Sequence, residues 1–183
     1  MTAKRSLWDV LTRRKSHEGT ATDLYGRLVA QARTPAFYAV HGVPDTPEGR
    51  LEMIVLHVVL LLRRLAKEGD AGSALSQTIS ETFVTDMDDC MREMGVSDIS
   101  VARKVKKAAA ALFDRIRDYG GALDKQDHEG LSALIASHVL ETTEPTAGAR
   151  RIAAYVVTSQ ERLSRATLAE IKLGAISFPN ITD

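Results

Sequence analysis

Cysteine, charge of one sign and long apolar runs are what this sequence has least of, and each shortage closes off a class of function. Cys90 is the only cysteine in 183 residues. No internal disulfide and no cysteine-based zinc cluster can form from it, and a reducing compartment fits. Twenty-four Lys and Arg face twenty-four Asp and Glu, a formal net charge of zero. A nucleic-acid-binding domain carries a basic excess, so no nucleic-acid partner is expected. The longest apolar run, Met53 to Leu62, is interrupted by His57 and is half the ~20 residues that a bilayer span needs. Met1 to Thr20 carries charges without an apolar stretch, unlike a secretory signal. A cytoplasmic protein is therefore expected, with at most peripheral contact at the inner face of the cytoplasmic membrane. Phosphate-cradling glycine motifs, nucleophile elbows and alternating strand patterns are missing too.

What remains is helical periodicity, and it predicts an all-α, single-domain bundle of about six helices. Residues 1–20 read as a basic flexible arm, 21–174 as the helical domain and 175–183 as a C-terminal tail. The expected helices span about 22–33, 46–69, 73–94, 98–119, 127–141 and 146–173. Thr22, Thr46 and Ser97 are natural N-caps, and Gly69, Gly95 and Gly174 natural stops. The second helix is apolar around most of its circumference, which places it at the bundle centre. Its only polar strip is Arg50, His57, Arg64 and Glu68, so His57 is expected to be partly exposed.

The third and fourth helices carry opposite charge. Glu81, Asp86, Asp88, Asp89 and Glu93 line the outside of one; Arg103, Lys104, Lys106, Lys107, Arg115 and Arg117 line the outside of the other. Zero net charge thus conceals a dipolar surface. In the arm, Lys4, Arg5, Arg13, Arg14 and Lys15 oppose only Asp9 and Glu18. A mobile terminus is the first reading. The second is an interfacial anchor in which Lys4, Arg5, Trp8, Leu11, Arg13 and Arg14 touch a membrane.

Chemistry is sparse. No two of the five histidines have the i, i+4 spacing of a helical metal pair. Asp86 and Asp88 point to different sides of a helix, whereas Asp86, Asp89 and Glu93 share a flank. A solvated acidic face is the first reading of that flank, and a partner-binding face the second. Cys90 falls on an apolar face and reads as a small hydrophobe. Met87, Met91 and Met94 read as core packing, with an adaptable binding surface as the alternative.

A set of strings then resembles one family. They are Leu24-Tyr25-Gly26, Gln31-Ala32-Arg33 with Pro35 and Phe37-Tyr38, Gly42-Val43-Pro44-Asp45-Thr46-Pro47-Glu48-Gly49-Arg50-Leu51-Glu52-Met53, and Asp86-Met87-Asp88 running on to Arg92-Glu93-Met94-Gly95-Val96-Ser97-Asp98, then Val101 and Lys104-Val105-Lys106. Over roughly residues 23–140 the chain resembles the ubiquinol–cytochrome c chaperones, bacterial relatives of a mitochondrial assembly factor for respiratory complex III. The family pattern has a glycine before the arginine at Arg115, where this chain has Asp114. The segment from Thr146 onward carries none of the strings. The resemblance implies a non-enzymatic helper without cofactor or metal. Its client would be newly made cytochrome b, and in mitochondrial members a small helper protein takes part. Asp86, Asp88, Arg92, Glu93, Met94 and Asp98 are then the expected partner-binding residues. Ion pairs within the fold among Asp45, Arg50, Asp88 and Arg92 are their alternative role. Two further alternatives are a metal-dependent helical enzyme using Asp86, Asp89 and Glu93, and a haem-handling protein with His57 or Met94 as axial ligand.

Overall fold

The computed structural model describes the backbone of residues 7–181 and the side chains from residue 18 onward. The described chain is all helix, turn and loop, with no strand. Six helices exceed ten residues: α1 (Leu7–Ala32), α3 (Pro47–Leu65), α4 (Gly69–Glu93), α5 (Asp98–Asp124), α6 (His128–His138) and α7 (Ala147–Arg165). Two five-residue helices, α2 (Pro35–Ala39) and α8 (Leu168–Lys172), and a one-turn 3-10 helix (Ala66–Glu68) complete the order among the described residues.

Helix α3 forms where its signals predict. The Thr46 hydroxyl accepts from the Gly49 amide at 3.1 Å, Pro47 occupies the first turn and Glu48 follows it. Every residue from Met53 to Leu62 is buried. α1, α4, α5 and α7 all pack against this helix, so its apolar circumference is used on every side. The buried cores of α4 (Leu75, Ile79, Phe83, Met87) and α5 (Val101, Ala108, Leu112, Tyr119) come from the expected stripes.

Several boundaries differ from expectation. α1 begins at Leu7, and Thr22 caps nothing; its hydroxyl donates back to the Glu18 carbonyl at 2.9 Å, as a mid-helix threonine does. Of the expected membrane contacts, Lys4 and Arg5 lie outside the described residues, and Trp8, Leu11, Arg13 and Arg14 lie on α1 with side chains outside them. α5 continues past Gly120 and Gly121 to Asp124. The expected long last helix is two, because Ala166 turns extended and Thr167 starts α8 with a capping box to Glu170. The tail docks: Ile181 is 3% exposed, and Ile176 and Phe178 pack on the core. A fully buried side chain of this size contributes about 1.5–3 kcal/mol, so the tail is part of the folded body.

One close approach makes a testable distinction between glycines. A Cβ on Gly148, at the start of α7, would sit 2.1 Å from the His41 backbone oxygen, whereas nothing lies within 4 Å of one on Gly121. Gly148→Ala is expected to destabilise the protein by about 2 kcal/mol, since neither backbone can yield cheaply. Gly121→Ala, inside a helix, should stabilise it by about 0.5–1 kcal/mol. Urea unfolding of the two variants measures both.

Candidate functional site

The turn between α4 and α5 is built by its own sequence. Gly95 takes φ 74°, with its amide donating to Arg92 O at 2.9 Å and the Val96 amide to Met91 O at 3.1 Å. This closes the helix end in the left-handed conformation that favours glycine. Ser97 starts α5 in extended conformation, although its side chain makes no cap bond. Across this turn Arg92 forks, with Nε donating to Asp88 and Nη1 to Asp98. The two carboxylates hold the guanidinium proton more firmly than usual. The side chains of Arg92, Asp88 and Asp98 are 49%, 35% and 86% exposed. The trio is therefore a surface clasp that shapes the turn, with little weight in stability.

Around the clasp, Glu93 and Asp89 are exposed and Met94 is 60% exposed. Met94 is thus not core, unlike Met87, which is buried. Asp86 departs from the group as well. It is half-buried, and Tyr25 on α1 donates its hydroxyl to it at 2.7 Å. Burial, and then this bond, push the Tyr25 pKa up. Asp86 therefore fastens α1 to α4. Cys90 lies half-buried beside it, its thiol pushed up by desolvation and by the Asp86 charge, the opposite of an activated nucleophile. The expected surface thus comes together as Asp88, Arg92, Glu93, Met94 and Asp98, with Asp86 behind it.

The alternatives lose their geometry. Among the described residues no three His, Cys, Asp or Glu side chains are placed to hold an ion, and Asp86 already has its partner. His57 is fully buried, not partly exposed. Its Nδ1 lies 2.7 Å from the Met53 carbonyl, which can only accept, so Nδ1 carries the hydrogen. Its Nε2 then accepts from the Tyr155 hydroxyl at 2.7 Å. Phe37, Tyr155 and Phe178 surround the ring edge-on, with centroids 5.1–5.8 Å away. Both nitrogens are occupied, so neither can ligate haem as the fold stands. Asp45–Arg50 is also an exposed local pair, at 2.6 Å, so neither it nor the clasp fixes helix order from within.

Two inward charges escaped the sequence reading. Arg115, expected outside, meets Glu52 of α3 through two bonds of 3.0 and 2.9 Å, with side chains 14% and 18% exposed. Arg64 is 6% exposed. Its Nε reaches Leu163 O and Ala166 O at 3.1 Å each, its Nη2 reaches Ala166 O at 2.7 Å, and it pairs with Glu68. It thus caps the C-terminal end of α7 from another helix.

A family model described as Ubiquinol-cytochrome C chaperone matches residues 39–178. The match reaches through α7 and α8, beyond the strings that carried the resemblance. The crystal structure of the Cbp3 homolog from Brucella abortus is similar over 96% of this chain and 98% of that one, with 34% identity and a TM-score of 0.83. No curated protein matches.

Proposed function

From the premise that this chain belongs to the ubiquinol–cytochrome C chaperone family, we propose that it assists assembly of ubiquinol–cytochrome c reductase by holding newly made cytochrome b. The contacts would be protein–protein contacts at the α4–α5 turn, with no bond chemistry by this chain. The observation that supports the surface is its exposure. The most distinctive family-like string, Arg92 to Asp98, is displayed outward, with Met94 uncovered and the turn shaped by the Arg92 clasp. An adaptable methionine ringed by charges of both signs suits a protein partner. No helix among the described residues is long and apolar enough to cross a membrane. Work beside the membrane would thus rest on peripheral contact, for which the basic arm from Lys4 to Arg14 is one candidate. A small helper protein would complete the assembly complex, as the family resemblance implies.

The test is affinity capture from native membranes, with cytochrome b identified by mass spectrometry and its haem spectrum. Asp88→Lys and Arg92→Glu should each lower recovered cytochrome b at least tenfold while melting changes little, because the clasp is solvent-exposed. The swap Asp88→Arg with Arg92→Asp rebuilds the internal pair but presents charges in the wrong places. It should stay deficient. If the swap recovers capture, the clasp acts only within the fold and the surface lies elsewhere. Wild-type capture without cytochrome b would remove the client reading altogether.

A further inference from the structure

We infer that the outward face of α5 is a docking surface for anionic lipid headgroups. Ile99, Arg103, Lys106, Ala110, Phe113 and Arg117 fall within about 40° of one line along the helix, opposite the buried Val101, Ala108, Leu112 and Tyr119. Ile99 is 89% exposed and Phe113 70%. They stand about 21 Å apart along the axis at the usual rise per residue. Between them Arg103 and Lys106, with Lys104 and Lys107 on the flank, are exposed. None of these four cations has an ion-pair or hydrogen-bond partner among the described residues. Arg50, Arg63, Arg64, Arg92, Arg115 and Arg117, by contrast, each meet a carboxylate.

Shape and charge select the occupant. Two large apolar side chains project from a convex helix on either side of the unpaired cations, with Asp98 beside Ile99 and Asp114, paired to Arg117, beside Phe113 at the two ends. A protein partner would be better served by a continuous apolar patch. A headgroup layer accepts isolated projections, because apolar side chains enter it by about 5–10 Å while Lys and Arg remain among the phosphates. The neighbouring α4 face carries Glu81, Asp89 and Glu93, all exposed. An anionic surface repels that side, so the molecule would land on α5 and hold α4 away from the membrane. This inference stands on exposure and charge in α5 and is independent of which client the protein holds.

Co-sedimentation of the full chain with vesicles tests it. Vesicles of phosphatidylglycerol and phosphatidylcholine should bind it, and phosphatidylcholine alone should not. Lys106→Glu with Lys107→Glu should weaken binding at least tenfold, and Phe113→Ser severalfold, with unchanged melting in both cases. Arg13→Glu with Arg14→Glu tests the arm separately. α5 variants that bind anionic vesicles like wild type would overturn the inference, whatever the arm variant does. So would intact vesicle binding accompanied by loss of self-association, or of an acidic protein, in the α5 variants.

Discussion

Replacing Arg64 with leucine is expected to cost about 3 kcal/mol of folding stability, read as a lower urea midpoint with unchanged slope. The guanidinium serves carbonyls at the end of α7, Leu163 O and Ala166 O, and pairs with Glu68. Leucine fills much of the same space but takes the donor away from Ala166 O and from the Glu68 carboxylate in a half-buried site, and leaves the buried Leu163 O with the Ala166 amide alone. Arg64→Lys should recover only part of the loss. A compact ammonium cannot span two carbonyls and a carboxylate as the planar fork does. If Arg64→Leu unfolds at the wild-type midpoint, the α7 end is satisfied by other means and the cross-helix cap has no energetic role.

The second large effect is on pH dependence. Burial drives the pKa of His57 from 6.5 down to about 4. Above pH 6.5 the ring is neutral in both the folded and the unfolded chain, and its full contribution is present. Between pH 6.5 and 4 the unfolded chain takes up a proton that the folded chain refuses, so stability falls as pH falls. Below about pH 4 both states are protonated and the loss levels off near 3 kcal/mol. His138 is shifted downward as well, by burial first and then by Arg115, so the two must be separated. Comparing wild type with His57→Gln does this, because glutamine keeps polarity but cannot titrate. The stability gap between the two proteins should move by about 3 kcal/mol between pH 7 and pH 4. A gap that stays constant over that range would mean that His57 takes up its proton in the folded protein as readily as in the unfolded chain.

The same two residues show where reading the chain alone stops. Arg50, His57 and Arg64 lie along one strip of α3, and periodicity treats such a strip as facing solvent. Arg50 does stay exposed, but the rest of the strip meets other elements: α2, α7 and the docked tail close over His57, and the end of α7 closes over Arg64. Glu52 and Arg115 follow the same pattern, 63 positions apart and joined only when α3 and α5 pack. A charge satisfied by a distant partner looks locally like a charge satisfied by water. Met94 errs the other way, since hydrophobic spacing assigns it to the core although the helix has already ended there.

At the candidate site the division is similar. Half of the clasp follows from local spacing, because Asp88 and Arg92 are four residues apart on one helix; Asp98 joins it only where the glycine-closed turn brings the start of α5 back to Arg92. The withdrawal of Asp86 was not, since its partner Tyr25 is 61 residues away.

Local rules thus determined the all-helical class, the Thr46 cap, the glycine-closed end at Gly95 and the central place of α3, because hydrogen bonds between near neighbours and the 3.6-residue period are written in adjacent residues. They also determined the opposite charges of α4 and α5, and the strings that place the chain in its family. Only the packed chain decided which polar groups turn inward, which cations of α5 stay without partners, and that the tail seals His57. Those outcomes depend on contacts between residues far apart in the chain, where burial makes a partner obligatory and exposure leaves the surface open to other molecules.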